Sequence, residues 1–369
     1  VRIAVVSKAL VAPLHQRQMQ VLAALPDVEL LALAPPSWLE PRVGRQRLEP
    51  HFIAGYRLET LPILLNGRHH LHFYPDLGRR LRRFAPDVLH IDEEAFNSAT
   101  FLALRAGLAL RARCCFFNWA NIDRYYPPPF NLFERYVFRY AGHAIAGNQE
   151  AADIMRRHGY AGPLSILPQV GVDPDIFVPA PPRAGPPLIG YLGRLVPEKG
   201  LADLLDAFAE LCGDCRLRII GDGVLRDEIR RRLAKAPLAG RAELLPALPG
   251  SAVPAALREL DVLVLPSRSV ASWKEQFGRV LIEAMSCGLA VVGSDSGEIP
   301  NVLGDAGMVV PQANPAALRA ALQSLVDDAH LRAEYGRRGR ARVLAGYTQA
   351  ALAQRYHAVY QSMLMPTQM

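Results

Sequence analysis

Residues 188–200 read LIGYLGRLVPEKG. The run 188–192 is apolar without polar alternation, the pattern of a β-strand covered on both faces. A tight turn at Gly193 follows; it presents Arg194 and, five residues on, Lys199, and a helix starts near Leu201. Similar runs recur downstream at 217–220, 244–245, 262–265, 290–293 and 308–310, and upstream at 3–7, 29–33, 88–91, 114–117 and 144–147. Helical periods separate them. Such alternation implies right-handed βαβ crossovers and a doubly wound parallel sheet. The pattern occurs once on each side of a seam, so the fold class expected is α/β, with two Rossmann-like domains facing a central cleft.

The seam is residues 168–187, which hold seven prolines, enough to block helices and central strands. The expected division is an N-terminal domain over 1–170, a Pro-rich linker over 171–187, a second domain over 188–345 and a C-terminal tail over 346–369. In the tail, Leu352, Tyr356, Val359, Tyr360 and Met363 fall at helical spacing behind Thr348, a residue suited to capping. That stripe needs a surface to cover, which predicts a helix over 348–363 packed back on the N-terminal domain.

Composition narrows the class. Of 369 residues, 50% are apolar and 21% charged, an ordinary globular balance. No run approaches the roughly 18 apolar residues of a membrane span. The opening VRIAVVSK reads as a strand rather than a secretory signal. Five cysteines without framework spacing favour a reducing compartment, so a cytoplasmic location is expected. The lone pair Cys212 and Cys215 reads as ordinary thiols. Net charge is +7, and residues 1–170 carry most of it, with 20 Lys and Arg against 14 Asp and Glu. The densest cluster is Arg79, Arg80, Arg82 and Arg83. It reads as a solvated helix face or as a peripheral contact with an anionic membrane. No nucleic-acid recognition motif accompanies it.

Three further motifs follow in the second half. Gly221-Asp222-Gly223 closes a strand and lets the backbone approach a neighbour or ligand closely. It lacks the third glycine of a dinucleotide fingerprint, and neither half offers that fingerprint after its first strand. Residues 273–288 read WKEQFGRVLIEAMSCG, with Glu275 in a loop and Glu283 inside a helix that begins near Gly278. Free amides around Gly278, Arg279 and Val280 would suit a phosphate. Arg194 and Lys199 suit a diphosphate, and the two glutamates suit the hydroxyls of sugar rings. Taken singly, these residues also read as surface cations, a helix-start charge and a buried, satisfied acid. VVGS at 291–294 completes the series.

In this order and spacing the motifs of residues 187–310 resemble the retaining glycosyltransferases of family 4, which adopt the GT-B fold. The resemblance implies a nucleotide-diphosphate sugar bound by the C-terminal domain. It places Arg194 and Lys199 on the diphosphate, Glu283 on the ribose and Glu275 on the transferred sugar. Gly193, Gly221 and Gly223 would line the donor, and amides from Phe277 to Val280 would touch the sugar and distal phosphate. It further implies retention by front-side attack and no cofactor or bound metal. Asp173 and Asp175 form a DxD, but in the linker, where they read as a turn.

Three features depart from the pattern. The loop after the first strand, residues 8–15, contains no glycine. Residues 244–247, LLPA, replace a Phe-x-Gly strand end, so no base-reading residue is assigned. Asn118 stands near the place of a histidine after a middle N-terminal strand. Acceptor-side candidates are Asn118, His15 and the acids Asp92, Glu93 and Glu94 that follow strand 88–91. The function expected is transfer of a sugar to a glycan, lipid-linked or small-molecule hydroxyl. A nucleotide-sugar epimerase, a phosphorylase and a non-catalytic sugar-binding protein remain as alternatives.

Overall fold

The computed structural model describes residues 1–40, 44–181 and 183–365. The chain divides into two compact units: one is 1–171 together with 349–369, the other 172–348.

In the first unit, β1 (Arg2–Val6), β2 (Glu29–Ala34), a hairpin of β3 (Ser37–Glu40) and β4 (Gly44–Arg47), β5 (Arg57–Thr60), β6 (Val88–Ile91), β7 (Arg113–Asn118), β8 (His143–Ala146) and β9 (Leu164–Ile166) follow in order. Seven of them form one sheet in the order β5-β2-β1-β6-β7-β8-β9, and its ladders are all parallel. The second unit holds β10 (Leu188–Leu192), β11 (Arg216–Ile220), β12 (Ala242–Leu245), β13 (Val262–Leu265), β14 (Ala290–Ser294) and β15 (Met308–Val310). Their order is β12-β11-β10-β13-β14-β15, again in parallel ladders.

Both sheets therefore grow outward from their first strand, then reverse to its other side. The reversal opens a crevice at the carboxyl ends, between β1 and β6 in one unit and between β10 and β13 in the other; ligands of open α/β sheets bind at this point. Central strands such as Val88–Ile91 and Val262–Leu265 are buried along their whole length, as solid apolar runs require.

The helix Gln349–Leu364 belongs to the first unit. Its Leu352, Tyr356 and Tyr360 share a core with Ile3, Val5 and Phe117. The Tyr360 hydroxyl and His90 Nδ1 lie 2.6 Å apart, and the His90 and Tyr356 rings stack at 5.7 Å. Of residues 171–187, expected as a linker, Gly171 groups with the first unit and the rest with the second. The amide of Val172 donates to the Tyr347 carbonyl at 2.9 Å, and Phe177 packs on that unit's core, which ties down the proline-rich segment. The Asp173 carboxylate accepts from the Asp175 amide at 3.1 Å, the turn expected of the DxD.

Candidate active site

The second unit gathers its polar side chains at the switch point. Beyond β10, Pro197–Lys199 forms a single 3-10 turn closed by Gly200 at φ 67. A Cβ at Gly200 would lie 1.8 Å from the Pro266 carbonyl oxygen. Only glycine lets the loop after β10 lie directly on the loop after β13, and the Arg268 amide fastens the contact by donating to the Glu198 carbonyl at 2.8 Å. Across this junction Lys199 Nζ donates to Glu275 Oε2 at 2.5 Å. Ser267 Oγ donates to the same oxygen at 2.9 Å, and the Trp273 ring centroid lies 4.8 Å from the ammonium. Both charged side chains are nearly buried, 13% exposed for Lys199 and 9% for Glu275. A buried pair needs such added hydrogen bonds to offset desolvation.

Gly278, at φ 75, caps the helix Arg279–Ser286. The backbone thus turns sharply out of the Glu275 loop, and the first amides of the helix are left without intrahelical acceptors. Glu283 lies one turn inside, buried, with Arg279 Nε 2.9 Å from its Oε1. Burial raises the Glu283 carboxyl above the ordinary value, and Arg279 offsets this only in part. Val280 and Phe277 are half-buried against the core. The Gly297 backbone crowds the Glu275 carbonyl so closely that a Cβ would sit 2.0 Å from it, and the Glu298 amide donates to that carbonyl at 3.0 Å.

Arg194 is more open, at 44% exposure, and its Nη2 lies 3.9 Å from Glu198 Oε1. Its own carbonyl accepts from the Tyr191 hydroxyl at 2.7 Å, which fixes the backbone of the turn. Gly193, Gly221 and Gly223 have a structural reason to be glycine. A Cβ at Gly221 would lie 1.9 Å from the Gly193 carbonyl oxygen, and one at Gly223 would lie 2.4 Å from that of Leu195. The close approach that Gly221 and Gly223 permit is between the turns after β10 and β11 themselves, while a Cβ at Gly193 would lie 2.9 Å from the Tyr191 hydroxyl.

In the first unit the corresponding crevice is lined by residues after β1 and β6. Residues 8–11 form a 3-10 turn capped by Ser7, whose Oγ accepts from the Ala9 amide at 3.0 Å. This turn takes the place of a glycine loop and delivers the Lys8 ammonium to Glu93. His72 Nε2 approaches the other Glu93 oxygen at 3.2 Å. Burial alone would raise the Glu93 carboxyl, but Lys8 and His72 pull it down to about 2. Burial likewise opposes charge on Lys8, but Glu93, with Glu94 and Asp92 behind it, holds the ammonium above its ordinary value. Asp92 accepts from Ser7 Oγ at 2.5 Å and from Gln169 Nε2 at 2.7 Å, while Glu94 accepts from Asn97 Nδ2 at 3.1 Å. His15, in the first turn of helix Pro13–Ala23, lines a small cavity of about 20 Å³ with Asp92 and Gln169. Asn118 ends β7, buried, and its Oδ1 has no hydrogen-bond partner among the described residues. Reading the sequence alone misses Ser267 and Trp273 in one unit and the pairing of Lys8 and His72 with Glu93 in the other. Among the described residues no group of three His, Cys, Asp or Glu could hold a metal ion. Nor is any helix there long and apolar enough to cross a membrane.

With this geometry in view, the chain matches two known families, glycosyl transferases group 1 over residues 173–342 and glycosyltransferase family 4 over residues 16–188. It is similar to the phosphatidyl-myo-inositol mannosyltransferase of Mycolicibacterium smegmatis, at 32% identity over 325 residues, covering 83% of this chain and 80% of that protein. The 2-deoxystreptamine glucosyltransferase of Streptomyces kanamyceticus is 29% identical over 202 residues, 50% of this chain and 51% of that one. Among solved structures, sucrose-phosphate synthase from Thermosynechococcus elongatus has a TM-score of 0.72 at 19% identity, over 98% of both chains. Anabaena HepE, solved in complex with UDP and glucose, has a TM-score of 0.71 at 16% identity, over 98% of this chain and 99% of its own. The chain belongs to glycosyltransferase family 4 and has the GT-B fold. It is a glycosyltransferase.

Proposed function

We propose that this enzyme takes its sugar from a nucleotide-diphosphate donor held by residues 172–348. In this reading it transfers that sugar, with retention and without a bound metal, to a hydroxyl of a polyhydroxylated ring. The observation that carries the reading is the Lys199–Glu275 pair at the β10–β13 switch point, beside the open amides of helix Arg279–Ser286. Arg194, Lys199 and those amides would meet the diphosphate, Glu283 the ribose, and Glu275 the hydroxyls of the transferred sugar. The acceptor oxygen would form its bond to the anomeric carbon on the face from which the diphosphate departs. The departing phosphate oxygen takes the acceptor's proton as its bond to that carbon breaks. Charge gathers on the leaving group, where two cations and a helix terminus are worth most. No separate base is needed.

For the acceptor, the relatives named above act on rings rich in hydroxyls, an inositol lipid and an aminocyclitol by their names. Asp92 and Glu94, half-buried at the β6 end, can accept hydrogen bonds from such a ring. A contact with anionic membrane at its cytoplasmic face would use Arg79 and Arg82 of helix Leu77–Phe84, both exposed. Arg79 is paired to Asp76 at 2.6 Å, and Arg80 and Arg83 are both paired to Glu59. Binding to vesicles that does not change with their anionic lipid content would refute that contact.

The test of the donor is a thermal-shift screen of UDP, GDP, ADP and dTDP sugars. A ligand at 100 times its dissociation constant adds about 2.7 kcal/mol to stability. One base should stand out, and its sugar should be consumed only when an acceptor is added, with and without EDTA. Stability indifferent to every nucleotide sugar, or isomerisation of the donor alone, would overturn the reading.

A further inference from the structure

The second unit carries a groove of about 750 Å³ on the edge of its sheet opposite Arg194 and Glu275. Its floor is Leu260 and Asp261, just before β13, and Gly288 and Leu289, just before β14. These are the amino ends of the strands, whereas the motifs above lie at the carboxyl ends. Five arginines line it, Arg183, Arg258, Arg332, Arg337 and Arg340, against the single acid Asp261. The volume falls within the range of small-molecule sites.

Three of these guanidinium groups are already set in place. Arg332 Nη1 donates to the Leu325 and Val326 carbonyls, in the last turn of helix Pro315–Asp327. Arg340 Nη1 donates to the carbonyls of Ser286, the last residue of helix Arg279–Ser286, and of Phe177. Arg183 Nη1 donates to the carbonyl of Glu259, which closes helix Val253–Arg258. Each helix end is thereby neutralised through one terminal nitrogen, which leaves Nε and Nη2 of each fork for another acceptor. Gly336 brings helix Ala329–Gly346, which carries Arg332, Arg337 and Arg340, close: a Cβ there would lie 2.1 Å from the Gly288 carbonyl oxygen. Arg258 and Arg337 are exposed, and Arg337 is paired to Glu334 one turn back on its helix.

We propose that this groove is a second binding site, for a phosphate-bearing anion of at least two charges, separate from the donor site. Guanidinium forks match phosphate oxygens in pairs, and forks anchored beforehand lose little entropy on binding. Free phosphorylated molecules and lipid headgroups share that chemistry.

The test uses the full chain and inorganic pyrophosphate, read by hydrogen exchange. Pyrophosphate should slow exchange in peptides spanning 253–262 and 329–344. The variant Arg258→Gln/Arg337→Gln removes the two exposed charges and leaves the three carbonyl-anchored guanidinium groups in place. It should keep the melting temperature of the parent and weaken that protection at least tenfold, leaving any protection over 193–200 intact. Co-sedimentation with phosphatidic acid vesicles, whose headgroup is a phosphomonoester, that falls in the variant assigns the site to a headgroup. Protection by pyrophosphate with vesicle binding unchanged by the variant assigns it to a soluble ligand. Exchange in these peptides that pyrophosphate leaves unchanged, or protection equal in parent and variant, overturns the proposal.

Discussion

Replacing Lys199 separates its pairing with Glu275 from the catalytic role proposed for it. The side chain is 13% exposed and ends 2.5 Å from a carboxylate that is 9% exposed. Lys199→Met leaves Glu275 as a buried charge with Ser267 as its remaining donor in this pair's hydrogen-bond set, a loss of about 3 kcal/mol on the scale of broken buried pairs. At about 2–4 °C per kcal/mol for a domain of this size, the melting temperature should fall by about 6–12 °C. Adding Glu275→Gln removes the stranded charge, so the double variant should regain about 1–3 kcal/mol. Catalysis should not follow. Loss of a cation that meets the departing diphosphate costs about 100-fold to 1,000-fold in kcat, and the double variant should remain as slow as the single one. Denaturant melts and single-turnover rates on the four members of the cycle measure both terms. Additive stabilities would refute the buried pair, and a parental kcat in Lys199→Met would remove Lys199 from the chemistry.

Glu283 has a raised folded-state value, so burial favours its protonated form and its ionisation costs stability as pH rises through the folded value. Glu283→Gln should therefore melt at or above the parent at pH 8, with the gap closing as pH falls to 4, while donor affinity drops; thermal melts across that range with and without donor check both. Glu93 has the opposite sign. Held down to about 2 from 4.5, it contributes stability above the ordinary carboxyl range that disappears between these two values. Glu93→Gln should cost about 3 kcal/mol at pH 7 and little at pH 2, read by denaturant melts at each pH. Gly200→Ala must hold alanine at φ 67 and push its Cβ against the Pro266 carbonyl, so it should lose about 2 kcal/mol or more and part Lys199 from Glu275. Near-parental melting and turnover would refute that junction.

The buried strands were legible because both of their faces are covered. VLVL at Val262–Leu265 announces itself as an unbroken apolar run, and VLHI at Val88–Ile91 as one interrupted only by His90. Strands at the rims do not: RLET at Arg57–Thr60 and GRQR at Gly44–Arg47 are half exposed, and their polar residues read as loop. In the site, Glu275 and Glu283 could be found because one short segment carries both. The partners could not, since Lys199 and Glu275 stand 76 residues apart and Lys8 and Glu93 stand 85 apart. No local pattern encodes a contact at that separation; it exists only once parallel strands have brought their carboxyl ends side by side. The glycines of residues 193–223 were legible as glycines, but their reason, one turn lying on another, is a tertiary fact.

The last helix, Gln349–Leu364, packs onto a sheet whose strands all lie before residue 167. The amino-terminal unit is thus discontinuous along the chain, with the whole of residues 172–348 inserted into it. The core around Ile3, Val5 and Phe117 is complete only once residues 352–360 have joined it. A chain that stops near residue 348 would lose the lid of the unit it began with, so damage at the carboxyl terminus is felt at the first strand.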